Sequence, residues 1–221
     1  ALLLAKRGAK IVINYNKSET EANQLVNMIK GTNGEKSIAV KADITNPLEV
    51  KSMVETIMSH FESIDILINN AGIYFETPIW EISEKDWDLF MNVNLKGPFL
   101  CSQIVGRIMS EKRSGKIINI TDSIQISEET VNYMPYIVSK AGLTMLTKAL
   151  ARVFSPTIHV NAIAPGPVLL PENFSENEKK KAIASRYLKR IGTPQDIANA
   201  VIFLIESDYI TGEVIHVDGG T

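Results

Sequence analysis

Strands and helices alternate from Lys10 to Val217, and this order predicts an α/β fold with a doubly wound parallel sheet. Three observations carry the prediction. The β-branched runs are short, and most are bounded by Gly, Asn or Asp. Helical patterns separate them, as parallel strands require. Four strand ends lead into polar or Gly-rich turns, which places those turns on one rim of the sheet.

Each element follows from its residues. Ala1–Gly8 reads as the last turns of a helix: Leu and Ala favour helix, basic residues close it, and Gly8 suits a left-handed cap. Lys10–Asn14 is a β-branched strand. Ser18–Glu19–Thr20–Glu21 opens the next helix with a capping-box pattern, and Gly31 ends it. Ser37–Ala42 is a strand. Pro47 starts a helix to about Phe61, with Leu48, Met53, Val54, Ile57 and Met58 on its apolar face. Asp65–Asn69 is a strand, a long helical stretch covers Glu84–Ser110, and Lys116–Ile120 is a strand. Pro135–Arg152 is a helix, His159–Ile163 a strand, Pro194–Ile205 a helix and Glu213–Val217 the final strand. The charge run Glu176–Lys181 reads as a solvated helix face. Trp80, Trp87 and Phe90 are expected to pack helix against core.

Composition bounds the function. The 221 residues allow one large domain or two small ones, and no linker or repeat divides them, so residues 1–221 read as one domain. The net charge of −2 argues against a nucleic-acid partner. The lone Cys101 excludes an intramolecular disulfide and fits a reducing, cytoplasmic location. No apolar run approaches membrane-span length, so no membrane partner is expected. His60, His159 and His216 lack metal-ligand spacing, so no metal site is expected. No Gly-x-Ser-x-Gly elbow points to a Ser hydrolase.

Five features carry chemistry. Tyr136-x-x-x-Lys140 places both side chains on one helix face. A neighbouring ammonium lowers a phenol pKa, which suits a Tyr to acid or base work near neutral pH. The other four follow strands: Asp43–Ile44, Asn69–Asn70–Ala71–Gly72, Asp122–Ser123 and Pro165–Gly166–Pro167. Locally each reads as an ordinary turn. Their convergence on one rim makes that rim the candidate site.

Together with Asn94 in Val93–Gly97, Val160–Asn161 and the terminal Thr211–Gly212…Val217–Asp218–Gly219–Gly220, these motifs resemble the short-chain dehydrogenase/reductase family in their order. The resemblance spans the whole chain. It implies a Rossmann-type sheet of seven strands in the order 3-2-1-4-5-6-7 and a homotetramer or homodimer. The family's first strand and Gly-rich phosphate-binding turn are absent. Roughly 20 residues of strand, turn and helix start are therefore expected ahead of Ala1, the strand lying between those at Lys10 and Asp65.

The resemblance further implies hydride transfer between a nicotinamide and a carbonyl or imine carbon. Tyr136 acts as general acid, Lys140 tunes it and holds the nicotinamide ribose, and Asn94 holds a water relay by distorting its helix. Asp43 meets adenine, with Ile44 beside it, and Asn70, Ala71 and Gly72 line the ribose side. Pro165, Gly166 and Val168 approach the nicotinamide, although Pro165–Pro171 lacks the Thr that often follows this turn. NAD enzymes place a carboxylate after the second strand. Here Asn16–Lys17–Ser18 stands there, and Lys17 and Ser18 suit a 2′-phosphate, so NADP(H) is preferred over NAD(H).

The third catalytic partner is open between two residues. Counting back from Tyr136 gives Ser123, whereas counting forward along the strand gives Asp122. Sheet pairing holds strand registers while loops absorb insertions, which favours Asp122. An Asp there, after Thr121, resembles the pteridine-reducing branch. The substrate is thus a ketone or 3-oxoacyl compound, or alternatively a pterin. A cofactor-sensing protein without turnover is the reading from another class. Tyr74, Phe75, Ile124 and Phe174 are candidate pocket-lining residues.

Overall fold

The computed structural model describes residues 1–31, 36–123, 130–170 and 175–220. Ile124, Pro171 and Phe174 lie outside the described residues. The elements run α1 (Leu2–Lys6), β1 (Ile11–Tyr15), α2 (Glu19–Lys30), β2 (Ser37–Lys41), α3 (Pro47–Phe61), β3 (Ile66–Asn69) and α4 (Glu84–Met91). A π-turn (Asn92–Lys96) joins α4 to α5 (Gly97–Lys112). Then come β4 (Gly115–Ile120), α6 (Met134–Phe154), β5 (Ile158–Pro165), α7 (Glu176–Ala184), α8 (Pro194–Glu206) and β6 (Val214–Val217).

All pairing is parallel. β1 pairs with β2, and a second sheet runs β3-β4-β5-β6. Within each sheet the neighbours are those the family order implies. β1 and β3 each have a single strand partner among the described residues.

The residues of β4 show why the sheet is covered on both faces. Side chains alternate along a strand. Ile117 packs with Val54, Val105, Met109 and Leu150, from α3, α5 and α6. Its neighbour Ile118 points the other way and packs with Val201 and Leu204 of α8. Both isoleucines are fully buried.

Local signals met different fates. Gly8 is left-handed at φ +86° behind α1, as its place after basic residues suggests. Asn46 caps α3 by accepting from Leu48 N–H, with Pro47 in the first turn. Thr193 and Asp196 form a full capping box on α8. The box expected at Ser18 does not form, because the hydroxyl makes no cap bond at ψ 59°. The helix predicted over Glu84–Ser110 is interrupted by the π-turn around Asn94. Trp80 and Trp87 are exposed, and of that trio only Phe90 is core. Leu48, expected on the apolar face of α3, is also exposed.

Candidate active site

The carboxyl ends of β3 and β4 meet α6 and the π-turn at one place. The β4–β5 ladder continues beyond Ile120. Thr121 N–H donates to Ile163 O (2.8 Å) and Ser123 N–H to Pro165 O (3.0 Å). Thr121 Oγ1 donates to the same Ile163 carbonyl (3.0 Å). Asp122 is therefore held between two pinned residues, and alternation turns its side chain away from theirs. It meets α6, where Tyr136 Oη donates to Asp122 Oδ2 at 2.5 Å. Ser123 is buried beside it, held by its backbone. The geometry thus joins Asp122, not Ser123, to the phenol.

Lys140 lies one turn on along α6 and is buried. Its Nζ donates to Ile120 O at 2.8 Å and stands 5.8 Å from the Tyr136 ring centre. Asn94 is fully buried at the π-turn. Its Oδ1 accepts from Ile73 N–H (2.8 Å), and its Nδ2 donates to Ile73 O (3.1 Å) and Ser139 Oγ (3.1 Å). Ser139 in turn donates to Tyr136 O (2.6 Å). The turn after β3, the π-turn and α6 are thereby tied together. Asn69 adds a buried link, donating to Ser102 Oγ and to Asn119 Oδ1.

Burial decides the electrostatics. Asp122 is pushed above the ordinary carboxylate range by burial, against the opposing pull of the Tyr136 hydrogen bond, Lys140 and Arg186. Tyr136 is pushed up by burial first and by the Asp122 charge and hydrogen bond next. The sequence expectation was the reverse, a phenol lowered by Lys140. The ammonium is instead engaged by Ile120 O, and its own pKa is lowered by burial, with Asp122 opposing.

Other predicted residues fall at the same rim. Asp43 Oδ1 accepts from Thr45 N–H (2.9 Å) and Oγ1 (2.8 Å). The Thr45 backbone bond is the main cause of its lowered pKa, with Asn16 and Lys17 adding to it. Asn16, Lys17 and Ser18 are exposed after β1. Ile44 lies against Gly97, where a Cβ would come within 2.6 Å of its Cδ1, so its side chain serves packing. Asn70, Ala71 and Gly72 are exposed. A Cβ on Gly72 would stand 3.2 Å from Asn94 Oδ1 and 3.6 Å from Lys140 Nζ. Gly166 N–H donates to Val217 O (3.0 Å), and its missing Cβ would strike Asp218 Cα at 2.7 Å. Val168 packs near Gly192, whose N–H donates to Pro167 O (3.0 Å).

Sequence reasoning missed three groups. Ser139 bridges Asn94 to Tyr136, although nothing in its local pattern marks it. Tyr133 stacks on Tyr74 (4.6 Å) and donates to Glu76 (2.9 Å), while Tyr74 meets Tyr136 edge-on at 4.9 Å. Arg186 acts on Asp122 from 64 residues further along the chain.

The family model described as Enoyl-(Acyl carrier protein) reductase matches residues 1–221. The chain belongs to the short-chain dehydrogenase/reductase family. It is an NAD(P)-dependent oxidoreductase with the Rossmann-type fold of that family. It is 40% identical to a 3-oxoacyl-(acyl-carrier-protein) reductase of Staphylococcus epidermidis, over 100% of this chain and 91% of that protein. A 3-oxoacyl-(acyl-carrier-protein) reductase of Synechocystis is 37% identical over 100% of this chain and 90% of its own. The crystal structure of acetoin dehydrogenase from Enterobacter cloacae superposes with a TM-score of 0.86 at 32% identity, covering 99% of this chain and 87% of that one.

Proposed function

We propose that this family member is an NADP(H)-dependent reductase that delivers hydride to a ketone or 3-oxoacyl carbonyl, with Tyr136 as general acid. The observation that carries the reading is the Tyr136–Asp122–Lys140 assembly at the strand ends. A phenol pushed upward keeps its proton at neutral pH and can give it to a developing oxyanion. Asp122 orients that hydroxyl, and Asn94 and Ser139 hold the helix turn that carries it. Lys140 supplies a buried positive charge beside the ring.

The residues fit a nicotinamide dinucleotide. Gly72 leaves open the space a Cβ would fill beside Asn94 and Lys140. Asp43, Asn16 and Lys17 gather where the adenosine end is expected, and Lys17 with Ser18 favours a 2′-phosphate. Pro165, Gly166 and Val168 would flank the nicotinamide, which supplies the hydride when bound.

The relatives in Staphylococcus and Synechocystis support a 3-oxoacyl thioester. A pterin is the second reading, favoured by Asp122: a carboxyl with a raised pKa can donate to a ring nitrogen. NADPH consumption against ketones, acyl thioesters and dihydropterins tests both. Turnover of thioesters alone supports the first and of dihydropterins alone the second. Cofactor binding without any turnover would leave the sensing reading.

Three further proposals accompany this one. An apolar groove of Met91, Leu95, Phe99 and Leu146 supports a homodimer or homotetramer, which sedimentation tests. The single partners of β1 and β3 support a further strand between them in a one-domain protein. A cytoplasmic location fits one buried free cysteine, and among the described residues no helix is long and apolar enough to cross a membrane.

A further inference from the structure

The loop after β3 presents a half-exposed aromatic ring, Tyr74, to the reacting phenol, and the neighbours of Tyr74 hold that loop still. Ile73 is bonded through both of its backbone groups to Asn94, at 2.8 and 3.1 Å. Phe75 packs on the fully buried Phe90, with ring centres 4.5 Å apart. Thr77 N–H donates to Asn132 O at 2.6 Å, and Thr77 Oγ1 donates to the same carbonyl at 3.3 Å. Tyr133, itself buried, stacks on Tyr74 at 4.6 Å with the ring planes 4° apart, and donates to Glu76 Oε1. Tyr74 therefore has an anchored residue on each side of it in the chain and an anchored ring against its own.

The ring so held meets Tyr136. Among the described residues two rings pack edge-on with the phenol, Tyr74 at 4.9 Å and Phe90 at 6.4 Å. Such pairs have a preferred geometry, so displacing one ring costs energy. A phenol carries a single O–H. Tyr136 gives it to Asp122, and in the proposed reaction it must turn to the substrate oxygen. The hydroxyl turns about its own C–O bond, so the ring has to keep its place while the hydrogen bond is exchanged. Contacts along the flank of the ring serve that need.

We infer that Tyr74 is a positioning residue: backed by Tyr133, it holds the Tyr136 ring in place while the hydroxyl leaves Asp122 for the substrate carbonyl. The inference rests on the reading of Tyr136 as general acid. Tyr74 acts through Tyr136, so removing its ring should slow proton delivery without weakening the binding of substrate or cofactor.

Steady-state NADPH oxidation with a 3-oxobutanoyl thioester tests it, after circular dichroism shows that the variants are folded. Tyr74→Leu replaces the ring by an apolar chain and should lose about 3- to 10-fold in kcat, the worth of an edge-on aromatic contact. KM for the thioester and Kd for NADPH should stay within about twofold of wild type, as expected for an interaction used only in the transition state. Tyr74→Phe keeps the ring and should recover most of the lost kcat. Tyr74→Gln, a second variant without a ring, should match Tyr74→Leu. The solvent deuterium isotope effect on kcat should rise in both ring-less variants and not in Tyr74→Phe, because a displaced acid makes proton transfer more nearly rate-limiting.

A rise in KM with kcat intact would make Tyr74 a wall of the substrate pocket and overturns the inference. So does a kcat loss with an unchanged isotope effect, or one matched by a loss of NADPH affinity, since either marks a structural role. Wild-type kcat in Tyr74→Leu beside a disabled Tyr136→Phe overturns it and leaves the general-acid reading in place. Wild-type kcat in Tyr136→Phe sinks that reading itself, and the inference with it.

Discussion

Replacing Asp122 by Ala and, separately, Ser123 by Ala should affect turnover unequally. Asp122 accepts the Tyr136 hydroxyl at 2.5 Å in a buried setting. A hydrogen bond to a charged group contributes about 1.5–3 kcal/mol. At 1.36 kcal/mol per decade, losing the orientation of the acid should cost about 10- to 150-fold in kcat. Among the described residues Ser123 makes no such bond, and its tie is a backbone bond to Pro165 O. Ser123→Ala should stay within a few-fold of wild type. The assay is steady-state NADPH oxidation with a saturating carbonyl substrate, after circular dichroism shows that both variants are folded. Asp122→Asn refines the test, because its amide oxygen still accepts from Tyr136 while the charge is gone. The folded pKa of Asp122 lies above its ordinary value, so folding binds this proton more tightly. Wild type should therefore lose stability as pH rises from about 4 through that raised value, and Asp122→Asn should not. Full activity in Asp122→Ala with a tenfold loss in Ser123→Ala would refute the assignment of Asp122.

Other outcomes follow from single contacts. Lys17→Ala should raise the Kd for NADPH about tenfold and leave NADH unchanged, read by cofactor fluorescence. Equal loss for both cofactors would remove Lys17 from 2′-phosphate recognition. Thr193→Ala removes the capping hydroxyl of α8 and should cost about 1 kcal/mol in chemical denaturation. Its partner Asp196 is held down to about 2 by Arg190 and by Thr193. That depressed value stabilises the fold above the ordinary carboxylate pKa and is lost as pH falls through about 2, so the Thr193→Ala deficit should shrink in acid. Ile118→Ala, at a fully buried position between β4 and α8, should cost about 2–5 kcal/mol with KM unchanged.

Much of the fold was legible because its signals are local. Pro47 and Asn46, or Thr193 and Asp196, specify helix starts within four residues of chain. Even so, capping chemistry needs the backbone angle as well as the residue type. Ser18 has the right neighbours and makes no cap bond. Trp80 shows the same limit, since an aromatic residue in a loop can be nearly fully exposed.

The sequence by itself determined the alternation of parallel strands and helices, the rim on which the turns gather, and the face of α6 shared by Tyr136 and Lys140. Those are properties of spacing, and spacing is written along the chain. Whether Asp122 or Ser123 meets the phenol was open until the β4–β5 ladder was seen to continue through Ser123. The direction of the Tyr136 shift was also decided only in three dimensions, because burial outweighs a neighbouring ammonium. Arg186 acts on Asp122 from a segment whose next two residues bond to Gly219 and Gly220, beyond β6. Register, desolvation and meetings between distant segments are properties of packing, so no local pattern could supply them.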